Sequence, residues 1–246
     1  MTKIIVEIGL NHLGDEERAS RMLKCAIESG ADAVTFQIRE SKFYEKAETA
    51  RRRLNIKFYA NAAKLVRDAE MEFGLAIADE AAVPQFAALG VDFWKSLSWD
   101  YGNQTLRNIL QATGKKVLMS TGLSSMREIL EVSKLGGNIE LIHTQLTQEI
   151  GEVNLKAITE MRRITGLPVA FGLHCRNQDV LILSLAFEPS AILFYLKEEG
   201  SSPLFDDQHA IAMKDLKEII AKMKALMPSI GTGHKNSSEK PSWVVQ

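Results

Sequence analysis

Cysteine is scarce: Cys25 and Cys175 are the two this chain has, far apart and without metal-type spacing. That excludes a disulfide framework and a thiolate metal cluster, and suits a reducing cytoplasm. Net charge is nearly absent, at −1, so no global field draws the chain to nucleic acid or to an acidic membrane surface. Long apolar runs are missing, which argues against a membrane span, and no leader-like pattern sits at the start. No G-x-G-x-x-G turn follows the first apolar run, so the main sign of a dinucleotide-binding fold is lacking. Internal repeats and low-complexity stretches are absent too.

What remains is ordinary globular material. Hydrophobic residues make up 46% and charged residues 25% of 246 positions, enough for one sizeable domain. Short β-rich runs alternate with amphipathic segments. The runs are Ile4–Ile8, Ala33–Gln37, Gly74–Ala78, Phe93–Leu97, Val117–Ser120, Ile139–Thr144, Val169–Gly172 and Ala191–Tyr195. Between them, Ser125 and Glu128 form a capping-box pattern that leads into a helix ending near Gly136-Gly137. Leu155, Ile158, Met161 and Ile164 share one helical face, as do Met213, Leu216, Ile220, Met223 and Met227. About eight strand–helix units in a chain of this length predict an α/β fold closed as a (β/α)8 TIM barrel. The barrel is expected over 1–228, with a polar tail over 229–246. The charged stretch 40–59 is expected to be a long loop with a partial helix.

A barrel of this kind carries its working side chains at the carboxyl ends of its strands. Glu7 sits within the first apolar run, where an unpaired carboxylate would be costly. The other strand ends deliver Gln37, Asp79, Lys95 with Ser98 and Asp100, Ser120 with Thr121, Gln145, His174, and Tyr195 with Lys197. Lys95, flanked by Phe93, Trp94 and Leu97, must find a carboxylate or a ligand anion. Simpler readings compete. Thr121-Gly122 also reads as a strand-ending turn, "EKAETARRR" as a solvated face, His143 as a packing residue and Cys175 as a bystander. His174 divides evenly between a ligand or acid–base role and a hydrogen-bonded packing role.

The segments "VEIGLNHLGD", "GADAVTFQ", "LGVDFWKSLSWD", "GKKVLMSTGLSSMREI" and "GLPVAFGLHC" together resemble the N-acetylneuraminate (sialic acid) synthase family, with its pseudaminic, legionaminic and spore-coat relatives. The likeness runs from Ile4 to the tail. It implies a (β/α)8 barrel that joins phosphoenolpyruvate to an N-acyl amino sugar and releases phosphate, in a homodimer. It also implies a divalent metal, manganese or magnesium, held by two histidines. By position, Glu7, Lys95 and Asp100 match catalytic residues. Asn11, His12, Gln37, Ser98, Ser120, Thr121 and Asp206 match substrate-binding ones, and His174 matches the first metal histidine. The tail's "SSEKPSW" resembles the linker to a small antifreeze-like (SAF) domain, and that domain is expected to be absent here.

The departures from the family pattern gather at the phosphate and metal positions. Thr35 stands where the family has lysine, Ala76 where it has a hydroxyl, and Gly172 where it has serine. Leu193 replaces a glutamate and Tyr195 the second metal histidine, so a metal would need Asp206, Asp207 or His209 as substitute ligands. Three functions follow. One is a synthase-like carbon–carbon bond former taking a sugar and a keto-acid donor, with no nucleic-acid or membrane partner. The second is a Schiff-base aldolase using Lys95. The third is a non-catalytic barrel that binds a sugar acid or serves as a subunit.

Overall fold

Eight parallel strands run in chain order around a closed cylinder in the computed structural model, which describes residues 2–134, 136–200, 206 and 208–235. They are β1 (Lys3–Gly9), β2 (Ala33–Ile38), β3 (Glu72–Ile77), β4 (Phe93–Ser96), β5 (Lys116–Ser120), β6 (Ile139–His143), β7 (Val169–Gly172) and β8 (Ala191–Lys197). Pairing of β8 with both β7 and β1 closes the barrel. A two-residue strand, β9 (Ile211–Ala212), extends the edge of β8. Each expected strand is present within two residues of its bounds. The barrel is therefore the one the alternation predicts.

Helices α1 (Glu16–Glu28), α2 (Ser41–Tyr44), α3 (Ile56–Asp68), α4 (Val83–Ala87), α5 (Gln104–Ala112), α6 (Met126–Ser133), α7 (Lys156–Thr165), α8 (Asp179–Ser184) and α9 (Met213–Leu226) form the outer ring. The capping box of α6 forms as expected: Ser125 Oγ accepts from the Glu128 backbone N–H, and Glu128 accepts in return from the Ser125 N–H at 2.7 Å. The charged stretch 40–59 is more ordered than expected. Asn55 caps α3 by accepting from the Lys57 N–H at 2.9 Å, and Phe58, Tyr59, Ala62, Ala63 and Val66 bury one face of that helix. The apolar spacing that begins at Phe58 overrides the charge before it. A 3-10 turn over Met227–Ile230 spans the expected barrel–tail boundary. Residues 236–246, which include all of "SSEKPSW", lie outside the described residues. No described helix is long and apolar enough to cross a membrane.

Strand periodicity sorts the core into two layers. Ile4, Val6 and Ile8 of β1 pack outward against the helices, while Ile5 joins Ala33, Phe93, Leu118, Ile142, Ala170, Ala191 and Leu193 inside the barrel. Leu193, the residue at a family glutamate position, is therefore core. The lumen is tight at this level. A Cβ on Gly74 would lie 2.3 Å from the Phe93 ring, so β3 can pass the ring only as glycine. Higher in the lumen, Ala76 on β3 is in register with both Gln37 and Lys95. Its methyl group leaves room for the lysine side chain to cross the barrel.

Candidate active site

β1 and β4 stand three strands apart around the barrel, and their inward residues meet across the lumen. Lys95 Nζ donates to Glu7 Oε1, and both side chains are almost fully buried, at 6% and 4% exposure. This pairing resolves the cost of a carboxylate within β1: the ammonium 88 residues away compensates it. Glu7 is in register with Thr35 on β2 and with Tyr195 on β8. The Tyr195 ring centroid is 5.6 Å from Lys95 Nζ, within cation–π range. Tyr195 is buried, and burial raises its hydroxyl pKa well above the ordinary value, with the Glu7 and Asp206 carboxylates adding to the rise. At the top of β1 the register slips, and Gly9 takes a φ of +57° directly against this ring. A Cβ there would lie 2.6 Å from Tyr195 Cε1.

Above the ion pair opens a cavity of ≈ 240 Å³, lined by Leu10, Gln37, Arg39, Lys95, Leu97, Ser98, Trp99, Ser120, Leu146, His174, Tyr195 and Asp206. Six residues expected at the site thus share one mouth with Tyr195: Gln37, Lys95, Ser98, Ser120, His174 and Asp206. Glu7 supports this cavity from beneath through Lys95. Ser98 and Ser120, from the ends of β4 and β5, are buried and linked Oγ to Oγ at 2.8 Å.

Four expected residues do not line the cavity. Asn11 is buried behind it, its Nδ2 donating to the Leu196 carbonyl at 2.8 Å. His12 is also fully buried; its Nδ1 accepts from the Gly14 N–H at 2.9 Å, and burial, with Arg52 and Arg18 nearby, holds its pKa down at about 3. Thr121 Oγ1 donates to the Ile142 carbonyl at 2.8 Å, tying the end of β5 to β6, and its own carbonyl accepts from the Ser124 N–H at 2.9 Å in a turn. Asp100 sits in the 3-10 turn after β4, and its Oδ2 has no hydrogen-bond partner among the described residues. Burial first, then the nearby Glu40 carboxylate, raises its pKa to about 6 against the opposing Arg39 charge. His143 packs as expected, its Nε2 3.0 Å from the Val153 carbonyl oxygen.

Sequence reasoning passed over Arg39 and Trp99, although both stand at strand ends, two residues beyond Gln37 and one beyond Ser98. It also gave His209 only a substitute role. His209 is buried with its ring 4.5 Å from that of His174, and its Nε2 lies 3.6 Å from Asp206 Oδ1. The His174 ring reaches deep among protein atoms. Desolvation, with His209 and Lys95 adding to it, lowers its pKa to about 3. These neighbours are two imidazoles and one carboxylate. No group of three or more His, Cys, Asp or Glu among the described residues is arranged to hold a metal ion. Tyr195 stands where the resemblance places the second histidine, and Asp207 lies outside the described residues. The described donors do not by themselves make the divalent-metal centre that the resemblance implies.

The NeuB family profile matches residues 47–235, well over half of the chain. The chain belongs to the NeuB family. Membership makes it an enzyme of the carbon–carbon bond-forming synthase type, with a nonulosonic-acid-synthase-like role. The chain is 26% identical to the N,N'-diacetyllegionaminic acid synthase of Campylobacter jejuni, over 97% of this chain and 80% of that protein. Against the N-acetylneuraminate-9-phosphate synthase of Homo sapiens it is 23% identical, over 94% of this chain and 72% of that protein. The crystal structure of the N-acetylneuraminic acid synthetase of Leptospira borgpetersenii, in complex with citrate, superposes with a TM-score of 0.88 at 23% identity. That match spans 96% of this chain and 87% of the other.

Proposed function

We propose that this NeuB-family enzyme condenses phosphoenolpyruvate, or a related three-carbon donor, with an N-acyl amino sugar to give a nonulosonic acid for surface polysaccharide. The observation that carries the reading is the buried Glu7–Lys95 pair beneath a cavity whose wall holds Gln37, Ser98, Ser120, His174 and Asp206. In this condensation the donor's methylene carbon bonds to the sugar's aldehyde carbon. Water attacks the donor's C2, phosphate leaves, and the new alkoxide takes up a proton. The protein's task is to hold two polar substrates in register and to keep their charge stabilised in a water-poor pocket.

Each group has a role that fits its surroundings. Glu7 fixes the Lys95 ammonium, whose remaining N–H donors face a carboxylate or phosphate oxygen of the donor. In the Ser98–Ser120 pair one hydroxyl donates to the other, which leaves one O–H for a ligand oxygen. Gln37 and Asp206 offer hydrogen bonds to sugar hydroxyls. Asp100, expected to be catalytic, lies outside the cavity lining. The engagement of Lys95 with Glu7 favours this arrangement over a Schiff-base aldolase, because an attacking amine would first have to give up that contact and a proton. A cytoplasmic location belongs to the same proposal.

The test is product formation. The purified chain, with phosphoenolpyruvate, manganese or magnesium, and N-acyl amino sugars of the sialic, legionaminic and pseudaminic series, should release inorganic phosphate. A nonulosonic acid should appear by mass spectrometry. Absence of both with every sugar would overturn the reading.

A further inference from the structure

The cavity holds a second cation, and its surroundings differ from those of Lys95. Arg39 follows β2 directly and lines the mouth. Its guanidinium carbon lies 4.3 Å from the Phe43 ring centroid and 4.9 Å from that of Trp99. Nε and Nη2 each donate to the Glu40 carboxylate at 2.9 Å. The backbone N–H is tied to the Tyr44 hydroxyl at 3.1 Å. The plane is thus fixed by two aromatic rings and by one edge. None of its hydrogen bonds among the described residues uses Nη1.

Fold stability does not account for this arrangement. An ion pair between adjacent residues joins no two elements of the barrel. Trp99 is 52% exposed, so its indole shields little core. What the rings and Glu40 do accomplish is to orient the guanidinium in advance. A guanidinium held in this way binds an oxyanion with little further loss of side-chain freedom, and its N–H fork matches carboxylate or phosphate geometry. Lys95 is matched by Glu7 at 4% exposure, whereas the Glu40 partner of Arg39 is 41% exposed, so water screens that pair and the guanidinium keeps more of its charge for an incoming anion.

We propose that Arg39, steadied by Phe43 and Trp99, is the oxyanion anchor of the mouth, binding a carboxylate or phosphate group of the substrate through its Nη1 edge. Glu40 is the tuning residue: its carboxylate aligns the guanidinium and competes with the incoming anion. The inference rests on the proposed condensation for the substrate's identity, since phosphoenolpyruvate carries both kinds of oxyanion.

Titration calorimetry on the full chain with phosphoenolpyruvate, pyruvate, inorganic phosphate and the neutral sugar N-acetylmannosamine separates the alternatives. Arg39→Gln should weaken phosphoenolpyruvate binding by about tenfold or more, the scale of one charge-assisted hydrogen bond. Sugar affinity should stay within about twofold. Glu40→Gln should tighten phosphoenolpyruvate binding, and Arg39→Lys, which keeps the charge but loses the plane, should fall between wild type and Arg39→Gln. A parallel loss for inorganic phosphate would assign the anchor to the phosphate group, and a loss for pyruvate would assign it to the carboxylate. Wild-type affinity in Arg39→Gln, or a loss in Glu40→Gln equal to that in Arg39→Gln, would overturn the anchor and leave the condensation standing. A wild-type protein that binds none of the three anions would overturn the condensation and the anchor together. Circular dichroism of each variant reports the fold, and Glu40→Gln and Arg39→Lys keep the test open if Arg39→Gln does not fold.

Discussion

Replacing Lys95 by methionine removes a charge from the barrel lumen while keeping most of the side chain's length. The ammonium and the Glu7 carboxylate are 6% and 4% exposed, so the relevant regime is the buried ion pair. An exposed pair would be worth about 0–1 kcal/mol. Breaking a buried pair costs about 3–5 kcal/mol, because the remaining charge stays in the lumen uncompensated. For a domain of this size, that corresponds to a drop in Tm of about 6–20 °C. Glu7→Gln should destabilise similarly. The double variant Glu7→Gln/Lys95→Met removes both charges and should return to within about 1 kcal/mol of wild type. Urea denaturation of the four proteins, analysed as a double-mutant cycle, should give a coupling of about 5 kcal/mol or more, the two single costs less that of the double. All three variants should lose synthase activity, so stability and catalysis separate cleanly in the double variant. A cost below about 1 kcal/mol for Lys95→Met, or a double variant as unstable as the sum of the singles, would refute the buried-pair reasoning.

Asp100 should make stability depend on pH. Its carboxyl is raised from 3.8 to about 6 in the fold, so the folded state holds this proton more tightly than the unfolded chain. The resulting stabilisation is complete below pH 3.8 and is lost as pH rises through about 6. Asp100→Asn should flatten the change in urea midpoint between pH 4.5 and 7, and an unchanged slope would count against the burial argument. Gly74→Ala should destabilise by about 1–3 kcal/mol through overpacking against Phe93, with partial recovery in Gly74→Ala/Phe93→Leu; a neutral thermal melt for the single variant would show that the ring can move aside. Ser125→Ala should cost about 1 kcal/mol by removing the cap of α6, and a melt within error of wild type would show that the first turn of α6 does without its cap.

The strands were legible because a parallel strand buried on both faces reads as a short, nearly continuous apolar run. "KIIVEIG", "AVTFQI" and "AILFYLK" stand out without any tertiary information. α3 was less legible. The charged run before it masked an Asn55 cap that needs only one hydrogen bond to start a helix. At the site, Glu7 and Lys95 were conspicuous because a charge in an apolar strand demands a partner, but nothing local names the partner. Thr121, Asn11 and His12 show the converse. Their residue types suit ligand binding, but Thr121 Oγ1, Asn11 Nδ2 and His12 Nδ1 each pair with a backbone group away from the cavity lining.

The alternation of apolar runs with amphipathic helices was enough to determine a closed barrel, since parallel strands need crossover helices and their number suits closure. The order of motifs along the chain likewise pointed to the synthase family. Register and barrel shear were left to the tertiary structure. These decide that Lys95 reaches Glu7 across the lumen, that Arg39 stacks between Phe43 and Trp99, and that His209 stands beside His174. Apart from Arg39 with Phe43, these contacts join residues far apart in the chain, and side-chain packing in three dimensions selects them.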